Sequence, residues 1–449
     1  MKELSKNIIL TESQLEADRL INIHKIVILS GGPGTGKTSA VKNILDKAHL
    51  KGKSICQCAP TGKAAKRMIE ATGYPAQTIH VTLGCSMHKG QFIFGHNEQN
   101  PLPVDYLIID EFSMADNYLV SCLLRAVDPQ RTHVLIVGDP GQLPSVGPGS
   151  VLYDLLSCEA IPRVELNTIH RNSGYIVEAC QRIHQGKDYD LHSKLDLEAD
   201  NPINLIHVER KDQESTSAAI VKIVNELIPE KGFDPMWDVQ VLSPTNTKTD
   251  LSCEGLNVVL QNVLNPGDCE KGFKFRAGDK VINTKNEKVK KTDNRDSFIV
   301  NGDMGKVVDV GKKKLIVEFF EPRREVALSK ASNNLTLAYA VTCHKFQGSE
   351  SPVVVIPVDK AFSYFCDRRW LYTAISRGKK IVITVGNFAS ISKMTANIRK
   401  LDRSTRLTQK INDLLESGNL GIEVHGDGYY MPGNSVPVVN IEDELDFDI

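Results

Sequence analysis

The apolar run Ile26-Val27-Ile28-Leu29-Ser30 passes without a break into GGPGTGKTS at Gly31 to Ser39, and no other stretch of the 449 residues constrains the fold as much. The run has the pattern of a buried strand. The loop after it predicts a bound nucleoside triphosphate. In Gly31-xxxx-Gly36-Lys37-Thr38 the glycines let the backbone curl around a β-phosphate with its N–H groups pointing inward. Gly32, Pro33, Gly34, Thr35, Gly36 and Ser39 then line the cradle, Lys37 reaches the β/γ-oxygens, and the Thr38 hydroxyl ligates Mg²⁺. A helix from Thr38 to about His49 adds its N-terminal dipole to the anion site. The loop alone leaves kinases, GTPases, transporters and motors open.

Residues downstream of the loop narrow the choice. Strand patterns at Ser54 to Cys58, Tyr106 to Ile109, Val134 to Val137, Val353 to Val358 and Ile381 to Val385 alternate with helical stretches, which predicts parallel α/β sheets. The run Tyr106 to Ile109 ends in Asp110-Glu111. Asp110 is placed to hold Mg²⁺ and Glu111 to orient and deprotonate an attacking water, so the pair implies hydrolysis. The next run ends in the Gly/Pro-rich loop Gly138 to Gly149, whose Gln142 can sense a γ-phosphate from a rigid turn.

Composition sets the surroundings. With 41% hydrophobic and 24% charged residues the chain is that of an ordinary soluble protein, expected in the cytoplasm, without an apolar run long enough for a membrane span. Ten scattered cysteines are expected as reduced thiols, with Cys56 and Cys58 on opposite sides of one strand. The end IEDELDFDI holds five acids and no base, so the formal charge of −1 becomes +4 over residues 1–440, which leaves room for basic patches.

At this point the chain resembles the superfamily 1 helicases, and within them the RecD-like 5′ to 3′ branch, over roughly Leu10 to Arg406. Thr11-Glu12-Ser13-Gln14 resembles the adenine-reading motif, with Gln14 as reader. Ala59-Pro60-Thr61-Gly62-Lys63-Ala64-Ala65 resembles motif Ia, whose Thr61 and Lys63 would meet DNA phosphates, and Gln77-Thr78-Ile79-His80 resembles motif Ib. Ile169-His170-Arg171 is similar to motif IV, with Arg171 as an arginine finger. Ala340 to Glu350 matches motif V, which brings His344 and Lys345 to DNA and Gly348 and Glu350 to the nucleotide. Leu371 to Gly378 matches motif VI, with Arg377 as second finger. Phe112, Cys343 and Phe346 stand where the family usually has smaller residues.

The resemblance implies an α/β fold of two RecA-like P-loop motor domains, parallel sheets with helices on both faces. The first covers 1–82 and 104–165, the second 166–300 and 341–400. A small β-hairpin insertion at 83–103 and an SH3-like β-barrel insertion at 301–340, in an irregular region of short alternating strands that begins at Phe275, are the accessories, and 401–449 forms a C-terminal helix and acidic tail. Phe92 and Phe94 either tip a strand-separating pin or form its small core. Lys66, Arg67 and the run Lys285, Lys288, Lys290, Lys291 and Arg295 are either further DNA contacts or solvated faces. The expected activity is ATP- and Mg²⁺-dependent unwinding by a monomer that takes single-stranded and forked or 5′-tailed duplex DNA. A protein partner at the acidic tail is a further expectation. A nucleic-acid-stimulated ATPase that remodels protein or RNA-protein complexes, and a non-unwinding subunit of a recombination complex, are the alternatives.

Overall fold

The computed structural model describes residues 10–88, 91–168, 174–269, 273–292, 295–320, 323–330, 334–398, 405–416, 423–425 and 428–430. Arg171 and the acidic end from residue 441 lie outside them. Six strands, Ala76–Thr78, Ile55–Ala59, Tyr106–Ile109, His133–Gly138, Ile26–Gly31 and Arg163–Leu166, stand side by side in that order in one parallel sheet. Side chains of a strand alternate between faces, and both faces here are apolar. Val27 and Leu29 join Ile21 and Ile44 in one core, whereas Ile28 joins Leu107, Ile109 and Leu123 in the other. The same period corrects the expectation for the two cysteines. Residues two apart share a face, so Cys56 and Cys58 both turn toward the core that holds Ile28, and all ten cysteines are free thiols.

A second parallel sheet runs Ala340–Thr342, Val239–Ser243, Ser351–Val358, Gly378–Gly386, Leu205–Glu209. Its strand order repeats five of the six places in the first sheet: a late or outer strand, then the second, and the first strand of the domain beside the last pair. Each sheet carries its strand-end loops on one edge, where ligands of open parallel sheets bind.

An antiparallel sheet of five strands, Arg323–Ser329, Lys314–Phe320, Met304–Val310, Lys280–Asn283 and Leu335–Leu337, packs onto the second parallel sheet. It extends beyond the expected 301–340 segment, because the buried strand Lys280–Asn283 supplies the pairing edge for both Met304–Val310 and Leu335–Leu337. Val307, Val317 and Phe319 share one continuous core with Val241 and Val354. Ser86–His88 pairs with Gln91–Ile93 as a short antiparallel ladder. Helix Leu407–Glu416, counted with the C-terminal segment, packs back on the first sheet: Leu407 and Ile411 meet the Leu107 core, and Thr408 Oγ1 donates to the Asp154 carbonyl (2.9 Å). No helix among the described residues is long and apolar enough to cross a membrane.

Candidate nucleotide site in the cleft between two sheets

The phosphate-binding turn is built by what it lacks. Helix Lys37–Leu50 is capped by Gly36 at φ 85°, a left-handed conformation that favours glycine, and no side chain closes its first turn. The N–H groups of that turn are therefore available to an anion. Lys37 Nζ donates to the carbonyls of Gly31 (2.5 Å) and Gly32 (2.9 Å), and Thr35 Oγ1 donates to Gly32 O (2.9 Å). A Cβ on Gly31 would stand 2.8 Å from the Leu166 carbonyl, so the neighbouring strand requires glycine there. Gln14 is buried. It completes a capping box with Thr11 and donates through Nε2 to Gly36 O (3.1 Å), which ties helix Glu12–Ile23 to the turn.

Asp110 follows strand Tyr106–Ile109, and its Oδ1 accepts from the Glu111 amide (2.8 Å). Desolvation on the cleft floor and the Glu111 carboxylate beside it push the Asp110 carboxyl up to about 6. Glu111 sits at φ 50°, a costly left-handed conformation for a non-glycine residue, and the kind of strain kept at functional sites. The Thr38 hydroxyl and the Asp110 carboxylate are hard oxygen donors of the type that suits Mg²⁺, and a cation would relieve the repulsion that raises Asp110. Among the described residues no three His, Cys, Asp or Glu side chains converge on a metal; an ion shared with substrate phosphates needs no such cluster. Phe112 fills the first-sheet core under this turn.

From the second sheet, helix Arg368–Ile375 and the strand after it reach across the cleft. Arg377 is only 3% exposed, and its Nη2 donates to Gln142 Oε1 at 2.5 Å. Leu143 leaves its own domain: its side chain lies in the second-sheet core, its N–H donates to Thr373 Oγ1 (2.9 Å) and its carbonyl accepts from Gln347 Nε2 (3.4 Å). Sequence reasoning does not single out Asp139, Leu143, Gln347, Tyr372 or Thr373, although each lies within a quoted motif. Only their cross-sheet partners distinguish them.

The remaining predicted residues divide. Thr61, Thr78 and Thr342 each cap a helix, accepting from Ala64 N, Val81 N and Lys345 N. Lys63 stands 6.0 Å from the Phe346 ring, and a Cβ on Gly348 would come 3.1 Å from Thr61 Oγ1, so motifs Ia and V face each other. Gly348 and Glu350 lie against this motif Ia helix. Glu350 pairs with Arg67 and with Lys379 (3.4 Å). Burial opposes its charge, but the Arg67, Lys379 and Arg377 cations hold its carboxyl below the ordinary value. Arg67 is thus an ion-pair partner across the cleft, while Lys66 pairs along its own helix with Glu70 (3.5 Å). His344 is exposed and Lys345 half-buried. His80 packs between Phe92 (5.8 Å) and Phe94 (6.4 Å), and Phe94 reaches Tyr118 (6.2 Å).

A phosphate loop, an Asp-Glu turn and an inserted arginine, carried on two parallel sheets, define a P-loop α/β architecture. Residues 14–148 match the AAA domain family and residues 337–385 the UvrD-like helicase C-terminal domain. The chain is 30% identical over 440 residues to the RecBCD enzyme subunit RecD of Mycolicibacterium smegmatis, across 89% of this chain and 75% of that protein. It is 34% identical over 410 residues to the ATP-dependent RecD2 DNA helicase of Deinococcus radiodurans, across 90% of this chain and 52% of that protein, so it spans about half the length of that relative. The chain belongs to the RecD-like branch of the superfamily 1 helicases. Bacteroides Pif1 bound to single-stranded DNA shares the fold at a TM-score of 0.53 and 19% identity, over 95% of this chain and 100% of that one. Pif1 helicase from Candida albicans does so at 0.52 and 20%, over 91% and 99%.

Proposed function

We propose that this chain is an ATP-dependent DNA helicase that moves 5′ to 3′ on single-stranded DNA and unwinds duplex, hydrolysing ATP in the cleft between two RecA-like domains. The observation that carries the reading is the contact between Gln142 and Arg377 (2.5 Å), which joins a sensor on the nucleotide-gripping sheet to a cation on the other. In this reading Lys37 and the turn Gly32 to Ser39 grip the phosphates, Gln14 lies on the adenine side, and Thr38 and Asp110 hold Mg²⁺, which supplies charge neutralisation when bound. Glu111 orients and deprotonates water. Arg377, with Arg171 from outside the described residues, stabilises charge that grows in the transition state, and Glu350 and Gly348 close the cleft from motif V.

Single-stranded DNA runs over Thr61, Lys63, Thr78 and His80 on one domain and His344 and Lys345 on the other, phosphate contacts that shift as the domains move. Phe92 contributes from the hairpin at 83–103, and the antiparallel sheet is an SH3-like barrel beside the DNA path. The protein works as a cytoplasmic monomer on forked or 5′-tailed duplex, and its acidic end recruits a protein partner.

The test is ATP hydrolysis with and without bare single-stranded DNA, and then unwinding of 5′-tailed and 3′-tailed duplexes. DNA stimulation with unwinding from the 5′ tail alone is expected. Unwinding from the 3′ tail alone would refute the polarity, and no unwinding from either would refute the helicase reading.

A further inference from the structure

Helix Arg368–Ile375 brings a tyrosine to the same loop as the arginine just beyond its end. The Tyr372 hydroxyl donates to Asp139 Oδ2 (2.9 Å), an oxygen that also accepts from Gln142 Nε2 (3.3 Å), while Asp139 Oδ1 accepts from the Gly141 amide (2.8 Å). Gln142 Oε1 accepts from Arg377 Nη2, and Arg377 Nε returns to the Thr373 carbonyl (3.2 Å), closing a ring of contacts on the helix that began it. The orientation of the Gln142 amide is dictated by its neighbours. A carboxylate only accepts and a guanidinium only donates, so the NH₂ group must face Asp139 and the oxygen Arg377.

The phenol is also seated against two turns at once. A Cβ on Gly141 would stand 2.7 Å from its ring, and a Cβ on Gly32 would stand 3.0 Å from its hydroxyl, so both glycines make room for Tyr372. Tyr372 and Asp139 are 3% and 2% exposed. In that dry setting each donor to Asp139 counts, because water cannot replace it.

We propose that Tyr372 is a positioning residue for ATP hydrolysis: through Asp139 it holds the Gln142 amide in the orientation that docks Arg377, and it does so only while its helix lies against the phosphate loop. The inference rests on the helicase reading above and deepens it. Tyr372 touches no reacting atom in this scheme. Without the hydroxyl, Asp139 loses a donor to the oxygen that anchors Gln142, so the carboxylate can shift and carry the Gln142 amide away from Arg377.

The experiment measures kcat and KM for ATP, with and without oligo(dT), for the wild type, Tyr372→Phe, Gln142→Ala and the double variant. Stimulation of the wild type by oligo(dT) is read first, and its absence would sink the helicase reading whatever the variants do. With stimulation present, Tyr372→Phe is expected to lower kcat about three- to tenfold, the worth of one buried hydrogen bond, with KM for ATP nearly unchanged. In the Gln142→Ala background the same change should cost nothing further, since it acts through that amide. An unchanged kcat in Tyr372→Phe, or losses that multiply in the double variant, would overturn the proposal. Should Tyr372→Phe melt well below the wild type, Gly141→Ala, whose Cβ displaces the ring, replaces it in the same cycle with the same two outcomes.

Discussion

The two parallel sheets close their first strand-to-helix turn in opposite ways. In the first, five residues separate strand Ile26–Gly31 from helix Lys37–Leu50, and the cap is Gly36, which brings no side chain. In the second, three residues separate strand Leu205–Glu209 from helix Gln213–Lys222, and Asp212 caps the helix by accepting from the Ser215 amide (2.8 Å). A carboxylate of the chain itself thus occupies the helix end that its counterpart leaves open to an anion. A parallel-sheet framework leaves its first helix end open or fills it through the chemistry of one turn, and the second half sets Tyr372, Thr373 and Arg377 against the other sheet's loop.

The contrast can be broken at either end. Lys37→Ala should abolish ATP hydrolysis while the protein stays folded and binds single-stranded DNA; surviving turnover would mean that the first half does not grip through this turn. Arg377→Ala comes next. An arginine supplied across a cleft is worth about 10³ to 10⁵ in rate, so kcat should fall by that order with a much smaller change in KM for ATP, and a loss confined to KM would make Arg377 a mere binding group. Smaller, and equal in the two halves, is the effect on DNA. Lys63→Ala and Lys345→Ala should each weaken binding without regard to sequence and reduce the slope of log K against log salt by about one, as read by fluorescence anisotropy across a salt series. A slope that changes for one and not the other would show that only one domain holds the backbone.

The mildest change is Asp212→Ala. It should lower the midpoint of thermal unfolding and leave KM for ATP untouched. The Ser215 backbone N–H and hydroxyl hold the Asp212 carboxyl below its ordinary value. Because the folded value is depressed, the stabilisation is complete at neutral pH and is lost as pH falls below about 4 through the folded value. The gap in melting temperature between wild type and Asp212→Ala should therefore shrink on acidification, and a constant gap would show that the carboxylate is not the cap.

Legibility from sequence tracks the range of the interaction. The buried strands and the turns at Gly31, Asp110 and Gly138 are readable because each depends on neighbours a few residues away. Strand Lys280–Asn283 escapes although the turn at Ala277-Gly278 precedes it, because four residues do not announce a sheet whose partners lie about 20 and 50 residues on. Arg67 stays ambiguous for the same reason. Its helix looks like any solvated face until Glu350, from the other domain, arrives beside it. Phe112 and Phe346 break the family pattern in a way that sequence leaves unexplained, and packing accounts for both: one fills a core, and the other faces Lys63 across the cleft.

By itself, the sequence determined a turn suited to a triphosphate, since glycine dihedrals, a lysine and an uncapped helix start are all written within Gly31 to Ser39. It also determined the family, because the motifs keep their order. Only the tertiary structure decided which residues complete the site from the far side. Leu143, Asp139 and Gln142 meet Thr373, Tyr372 and Arg377 at separations of 230 residues and more, and no local propensity encodes a contact that exists only once two sheets have packed together.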